Sequence, residues 1–377
     1  MNRRTKLSHQ LSAHTANVLF APAAIQRLEA QASLPAKFQR MLDLFSLKRI
    51  CAGGVVAVKM HVGGSLGFTT IPPLFVRLLV QKIKNAGAKH VFLTDGSSSM
   101  SQAAARGYTE EVLGAPLIGA AGIEDRFFYR HKVKYRTLKE LEICGNIQDA
   151  DALINLCHFK GHGTCGYGAA CKNLAMGCVT NKTRRTLHHL EGGLVYHKNR
   201  CIKCRKCIKA CPRGAAKWND INNRMEIFFH NCTYCQHCML ACPKDAIEVR
   251  GGGFVPFQRG LALAAREVLG TFAPGRVLHI NFLTQITVFC DCWGFSTPAL
   301  MPDVGILASE NIVAVDKAGL DMTCDAQPLP GSLPPTMELG EGRHLFERIH
   351  AKDPYVQIEQ MEKIGMGSSK YRLRAIN

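Results

Sequence analysis

Two copies of one cysteine pattern, C-x2-C-x2-C-x3-C-P, constrain this chain more than any other feature. Cys201, Cys204, Cys207, Cys211 and Pro212 recur 31 positions on as Cys232, Cys235, Cys238, Cys242 and Pro243. Three thiolates on one tight loop can cap three irons of a cubane, while the fourth, opening a short helix, reaches the neighbouring cluster. The spacing therefore predicts two 4Fe–4S clusters with crossed ligands. Cys201, Cys204, Cys207 and Cys242 are expected to hold one, and Cys232, Cys235, Cys238 and Cys211 the other. The proline stops the chain after the crossing ligand and removes a backbone donor. Zinc also binds C-x2-C pairs, but this three-plus-one crossing is foreign to its four-ligand sites. A c-type haem would need C-x-x-C-H, which is not present.

The other cysteines bear on the compartment. The chain has 17 in 377 residues. Disulfide frameworks belong mostly to short secreted chains, so a ligand pattern in a long chain points to the reducing cytoplasm. The basic start, Arg3, Arg4 and Lys6, is followed only by the short apolar run Val18–Ile25 and then by Arg27 and Glu29. That is not the expected shape of an export signal. No uncharged apolar run reaches the roughly 18–20 residues needed to span a bilayer.

Around the cysteine repeat the chain reads as α/β. Val55–Lys59 is a short apolar run, a buried strand. Pro72 and Pro73 suit a helix start, Leu74, Val76, Leu78, Leu79 and Ile83 follow at helical spacing, and Gly87 ends it. His90–Thr94 is the next strand, completing a unit that is normally parallel and right-handed. Further strands are expected at Pro116–Ile118, Ala152–Leu156, Val277–Phe282 and Val304–Leu307. Helices are expected near Ser101–Leu113, Gln258–Leu269 and Asn311–Met322. This alternation predicts a mostly parallel sheet flanked by helices. Gly192-Gly193 and Gly251-Gly252-Gly253 bound an interruption at 193–253, read as an inserted small α+β two-cluster ferredoxin-like domain. Its expected sheet elements are Lys217-Trp218, Met225–Phe229 and Ala246–Val249, with a turn at Asn222-Asn223. Residues 1–192 and 254–377 are then the two parts of one α/β domain.

The formal net charge is +18. It favours acidic partners: an electron carrier of ferredoxin or flavodoxin type, an anionic substrate, or nucleic acid. Nucleic acid ranks last, because no recognised binding motif accompanies the charge. Lys198, Arg200, Lys203, Arg205, Lys206, Lys209 and Arg213 surround the first motif. Around the second, Lys244, Asp245, Glu248 and Arg250 cancel, with His230 and His237 nearby. Positive charge favours the reduced cluster, so the first is expected to have the higher potential and to face the carrier.

A second candidate site lies outside the repeat. His158, Lys160, His162, Lys172 and Asn173 crowd a segment containing Gly161, Gly163, Gly166 and Gly168, directly after a predicted strand. Ligands of open α/β sheets bind beyond the carboxyl ends of strands. Lys160 and Lys172 can hold a phosphate or carboxylate, and His158 or His162 can supply a proton. The alternative is a structural loop packed beneath the insert. Lys59 and His61 end the first strand and should reach the same edge. The loop glycines Gly63, Gly64 and Gly67 match neither G-x-G-x-x-G nor a P-loop, so neither a nicotinamide nor a nucleoside triphosphate is expected. Cys157, Cys165, Cys171, Cys178, Cys290 and Cys292 are candidates for a further metal site, for a redox-active thiol centre, or for plain core filling. Asp316, Asp321 and Asp291 are open between site and structural roles.

In combination, several segments resemble the domain of unknown function 362 family. They are VAVKMHVG at Val56–Gly63, HFKGHGTCGYGAACKNLAMGC at His158–Cys178, the two cysteine motifs, CDC at Cys290–Cys292 and PDVGILASENIVAVDKAGLDM at Pro302–Met322. The resemblance runs from about Val55 to Met322. It implies an α/β architecture with an inserted ferredoxin module and iron–sulfur content, but no reaction. The function expected from the residues is an iron–sulfur oxidoreductase relaying low-potential electrons to a small anionic substrate in the α/β domain. The alternative is a non-catalytic electron-transfer subunit docking to a partner enzyme.

Overall fold

Runs of branched apolar residues, each ending in one or two polar ones, build the centre of the molecule. The structure is a computed structural model, and residues 15–64, 66–229, 231–232, 236–250, 254–333 and 337–376 are described. Cys235, His230, the glycines 251–253 and the basic start Arg3, Arg4 and Lys6 lie outside the described residues. Seven strands form one sheet: β1 (Ala16–Pro22), β2 (Val55–Lys59), β3 (His90–Thr94), β4 (Ala152–His158), β5 (Val277–Leu283), β6 (Gly305–Ser309) and β7 (Tyr371–Ala375). Their spatial order is β7-β1-β6-β5-β4-β2-β3. β3, β2, β4 and β5 are mutually parallel; β6 runs against both β5 and β1, and β7 is parallel to β1. The chain is thus an α/β protein with a mostly parallel sheet flanked by helices, as the strand–helix alternation requires.

The principal helices are α1 (Leu34–Asp43), α2 (Pro73–Asn85), α3 (Ala170–Gly177), α4 (Asn181–His188), α5 (Val255–Leu269) and α6 (Ile312–Thr323). Successive strand residues point to opposite faces. Val56, Val58, Ile154, Leu156, Ile280 and Phe282 pack with Phe38 of α1 and Phe75 and Leu79 of α2. Ala57, Leu153, Cys157 and Leu283 pack instead with Leu174, Phe257, Leu261 and Leu320 from α3, α5 and α6. The second face also carries polar residues in register: Lys59 lies beside Asn155, and Asn155 beside His279.

β2 leads to β3 on one side, while β4 returns to the other side of β2. The carboxyl ends of β2 and β4 therefore flank a topological switch point, where open α/β sheets leave a crevice. Lys59 and His158 are the last residues of those strands.

Between α4 and α5 the chain leaves the sheet. Gly193–Tyr196 pairs antiparallel with Ile247–Arg250, and Ala216–Asn219 pairs with Arg224–Ile227. Ala216, Met225, Cys238 and Ile247 form a small core of their own there.

Several elements differ from expectation. The helix expected over Ser101–Leu113 is broken into Ala104–Arg106 and Glu110–Leu113, because Gly107 turns left-handed at φ +80° and Thr109 caps a new start. Around Pro116–Ile118 only Leu117 pairs, as a single bridge to Leu93. The hairpin Phe128–Tyr135/Leu138–Cys144 and the strands β1 and β7 were not foreseen. No helix of the described residues is long and apolar enough to cross a membrane.

Candidate functional site

The cysteine repeat is a repeat in space as well. Arg205 and Gln236, at equivalent positions, both adopt left-handed backbone, at φ +57° and +64°, and each opens a four-residue helix, Lys206–Lys209 and His237–Leu240. The crossing cysteines are held alike: the Ala215 amide donates to Cys211 Sγ at 3.1 Å, and the Ala246 amide to Cys242 Sγ at 3.3 Å. Cys201, Cys204, Cys207 and Cys242 line one small cavity with Tyr196, Trp218 and Pro243. The fold thus brings Cys242 to the first loop across 35 residues of chain. Cys211, Cys232 and Cys238 are described with it. Four thiols around one cavity are a soft, all-sulfur donor set, and backbone amides aimed at the sulfurs stabilise the charge of a cluster. The residues present fit the expected group.

A second cavity of about 180 Å³ opens at the carboxyl edge of β2 and β4. Lys59, His61, Lys160, His162, Lys172, Asn173 and Arg184 line it, together with Asp95, Cys290 and Cys292. Lys59 is 1% exposed. Its Nζ lies 3.1 Å from Asp95 Oδ1 and donates to Asn173 Oδ1 at 2.7 Å. Asn173 Nδ2 donates on to Asn155 Oδ1 at 2.8 Å, and Asn155 Nδ2 meets His279 Nδ1 at 3.0 Å. The polar row across the sheet is therefore a hydrogen-bonded chain, which is what makes its burial tolerable. His61 Nδ1 sits 2.7 Å from the other Asp95 oxygen. Burial works against ionising Asp95, but Lys59 and His61 outweigh it and hold the carboxyl well below its usual range.

The opposite wall is built on Asp291. Its carboxylate is 3.0 Å from Lys160 Nζ and 3.0 Å from His158 Nδ1. His158 Nε2 lies 3.0 Å from the Thr284 carbonyl, so both ring nitrogens face acceptors. Burial opposes ionisation of Asp291, and His158 and Lys160 overcome it, holding the acid well below its usual range. His158 therefore stands behind the cavity as a brace for Asp291, while Lys160, His162 and Lys172 face in. A Cβ on Gly168 would come within 3.1 Å of Lys172 Cδ, so this glycine leaves the lysine its place.

Asp316 works from below. Fully buried, it accepts from the Ala170 amide at 2.9 Å, the Cys171 amide at 3.0 Å, Asn281 Nδ2 at 2.8 Å and Tyr167 OH at 3.2 Å. A carboxylate at these two amides complements the start of α3, the helix that carries Lys172 and Asn173. Asp321 is elsewhere, paired with Lys317 and Tyr371 on the surface.

The six further cysteines divide. Burial pushes the Cys157, Cys165, Cys171 and Cys178 thiols up, to about 12 for Cys178, so these behave as core thiols. Cys290 and Cys292 instead reach the cavity, where they and His162 bring three ligand-type atoms within 4.8 Å of one another. The hydrogen bond from Cys292 pulls the Cys290 thiol well down, with Lys172 and Lys160 adding to it against the cost of burial; the same bond raises Cys292. Lys172 Nζ is 3.4 Å from Cys290 Sγ.

Sequence reasoning missed Asp95, Arg184 and Arg106. Arg184 comes from α4, just beyond the His158–Cys178 segment, and its guanidinium rests against Gly96, where a Cβ would stand 2.2 Å from Nη2. Arg184 Nε and Nη2, Arg106 Nη1 and Nη2 and His61 Nε2 are buried without a hydrogen-bond partner among the described residues. The Asp95-Gly96 pair after β3 was the available signal, since a strand end beside a glycine is where such a crevice forms. With Lys59, Lys160, Lys172 and Arg184 against one lining carboxylate, the cavity is built to take an anion.

The family described as Domain of unknown function (DUF362) matches residues 56–321. No curated protein matches the chain. Among solved structures, the chain is similar to the lactate racemase apoprotein from Thermoanaerobacterium thermosaccharolyticum, at 12% identity and a TM-score of 0.39, over 72% of this chain and 51% of that one. It is also similar to a crystallised protein from Thermotoga maritima, at 11% identity and a TM-score of 0.38, over 68% of this chain and 52% of that one. The chain thus spans about half the length of either structure.

Proposed function

The chain belongs to the domain of unknown function 362 family, a membership that brings no reaction with it, and we propose that it is an iron–sulfur oxidoreductase acting on a small anion. The observation that carries this reading is that Cys201, Cys204, Cys207 and Cys242 converge on one cavity while a separate cationic cavity opens at the sheet edge. Cys201, Cys204, Cys207 and Cys242 would hold one 4Fe–4S cluster, and Cys232, Cys235, Cys238 and Cys211 the other. Bound there, the clusters supply low-potential electrons one at a time.

The chain's own residues do the rest. Lys160, Lys172 and Arg184 bind the anion, and Lys59 with Asp95 fixes the floor of the cavity. The Thr164 amide donates to His162 Nδ1 at 3.2 Å, which places the ring proton on Nε2, where it can donate a hydrogen bond to the anion. His158 holds Asp291, and Asp291 holds Lys160, in one orientation.

An acidic carrier of ferredoxin or flavodoxin type would dock at the first loop. Ile202, Lys203, Cys204, Arg205 and Lys206 are all exposed, so an apolar residue and three cations surround the outermost ligand. Placement in the cytoplasm follows from the reducing conditions that free thiols and clusters need.

Anaerobic purification with iron and sulfide analysis tests the proposal, followed by oxidation of a reduced viologen dye in the presence of small anions. About eight irons per chain and anion-dependent dye oxidation by the protein alone are expected. Iron content near zero, or dye oxidation only with a second protein present, would refute it; the latter result identifies an electron-transfer subunit.

A further inference from the structure

We propose that Cys290 and Cys292 form a redox-active dithiol that collects two electrons and delivers them to a small anionic disulfide bound among Lys160, Lys172 and Arg184. This rests on the reading of the chain as an iron–sulfur oxidoreductase and names its substrate class.

The local geometry places both sulfurs at the cavity. Cys290 caps a short 3-10 turn, Asp291–Trp293, and the Trp293 amide donates back to the Cys290 carbonyl at 3.0 Å. The turn sends the Asp291 side chain inward to Lys160 and His158 and leaves the two cysteines on the cavity wall. Their sulfurs lie within 4.8 Å of each other, close enough for the two side chains to approach one another as a pair.

A single metal ion is the rival occupant, and two contacts argue against it. A histidine that ligates through Nε2 normally donates its Nδ1–H to an acceptor. Here Nδ1 of His162 receives the Thr164 amide instead. The Lys172 ammonium, 3.4 Å from Cys290 Sγ, also takes the side of the sulfur that a cation would need.

The pair is also wired to the cysteine repeat. Trp293, next to Cys292, stacks on Phe289 at 4.1 Å and meets the edge of Phe228 at 4.9 Å. Phe228 donates its amide to Ala215, whose own amide holds Cys211 Sγ. Lys352 further ties the Cys232 carbonyl to the α/β body. The insert therefore meets the α/β body through the segments that carry Cys211 and Cys232, beside Trp293 and Lys352.

The chemistry balances without another cofactor. The Cys290 thiolate attacks one sulfur of the substrate disulfide, forming a mixed disulfide and releasing one substrate thiolate. Cys292 then attacks Cys290 Sγ, so the mixed bond breaks, the Cys290–Cys292 bond forms and the second substrate thiolate leaves. The proton that Cys290 released on forming its thiolate and the proton of the Cys292 thiol end on the two product thiols. Two electrons, one from each of two one-electron iron–sulfur donors, and two protons then restore the dithiol. His162, 1% exposed beside the pair, is placed to pass those protons.

The test uses the intact holoprotein under anaerobic conditions. Dithiodiglycolate, a dicarboxylate disulfide, is added at one equivalent, and the protein is alkylated in denaturant and mapped by mass spectrometry. Loss of about two alkylatable thiols per chain is expected, both at Cys290 and Cys292, with recovery when reduced viologen is added. Cys292→Ser should trap the mixed disulfide on Cys290. The neutral hydroxyethyl disulfide should react about tenfold more slowly, because the cationic wall does not attract it. Full alkylation of both cysteines with the clusters intact would overturn the proposal, as would a tightly bound metal that shields the pair. If the anaerobically purified protein holds no iron yet still forms the Cys290–Cys292 disulfide with the substrate, the dithiol stands and the iron–sulfur reading falls.

Discussion

Replacing Gly177 by alanine should destabilise this protein, although alanine is the better helix former. Gly177 is the last residue of α3 and lies directly against Lys59. A Cβ there would stand 2.0 Å from Lys59 Cε and 2.2 Å from Nζ, closer than van der Waals contact allows. A surface lysine would swing away at little cost. Lys59 cannot, because it is 1% exposed and its ammonium is committed to Asp95 and Asn173. Displacing it separates a buried ion pair, at a cost of roughly 3–5 kcal/mol. The gain in helix propensity from Gly to Ala is at most about 1 kcal/mol. The net loss is then about 2–4 kcal/mol, which for a chain of this size lowers Tm by roughly 3–5 °C. Urea unfolding should show a lower midpoint with an unchanged slope. The Lys59→Ala background isolates the cause: Gly177→Ala should add little there, because both the clashing Cε and the ammonium are gone, so the two changes are strongly non-additive. A Gly177→Ala protein as stable as the parent, or equal effects in both backgrounds, would refute the account of Lys59.

Other outcomes follow from the same contacts. Asp316→Ala leaves two amides, Asn281 and Tyr167 without their acceptor and should cost about 3–5 kcal/mol in urea unfolding, and a loss under about 1 kcal/mol would show that α3 is not held from below. His279 is lowered to about 3 by burial, so the fold excludes a proton that the unfolded chain binds below about 6.5. This contribution to stability is fully present above about pH 6.5 and is lost as pH falls toward 3, by about 1.4 kcal/mol per unit; urea midpoints that are flat across pH 6.5 would contradict it. Arg184→Leu should weaken binding of a small dicarboxylate by about ten- to a hundredfold in calorimetric titration, and unchanged affinity would remove Arg184 from the anion site. Redox titration followed by EPR should find the higher potential at the cluster of Cys201, Cys204, Cys207 and Cys242, with Cys-to-Ser variants assigning the signals; the reverse order would dismiss the basic residues as its cause.

The outline of the fold was legible because most of its strands are short apolar runs bounded by glycine or proline. β2, β3, β4, β5 and β6 were all found that way, within two residues at each end. β7 was not, since this edge strand is mostly exposed, and neither was β1, whose short apolar stretch Val18–Phe20 lies in a segment weighed only as an export signal. The candidate site was legible where its residues cluster in sequence: Lys160, His162 and Lys172 lie within one short segment. Arg184 and Asp95 were not, because neither carries a motif and each reaches the cavity only through the packing of α4 and the end of β3. The role of His158 was also hidden. Sequence shows a histidine at a strand end, but whether it faces the ligand or braces Asp291 depends on a residue 133 positions away.

The polar row beneath the cavity explains why the site is where it is. In a parallel strand covered on both faces, the default residue is apolar, and an unpaired amide or ammonium there costs several kcal/mol. Lys59, Asn155 and His279 occupy such positions side by side, and each is tolerable only because its neighbour satisfies it. Asn173 is the link that makes this work. It accepts from Lys59, donates to Asn155 and is supplied by α3, whose start Asp316 holds in place. Remove any member and the others become buried, unsatisfied groups. The row therefore pins α3 against the sheet, and α3 in turn fixes Lys172 3.4 Å from Cys290. A chain selected only for stability would have filled these positions with valine and leucine. Keeping a lysine, two asparagines, a histidine and an aspartate interlocked under a cationic cavity makes sense if what matters is the position of Lys59 and Lys172, to within a fraction of an ångström, relative to an anion and a pair of thiols.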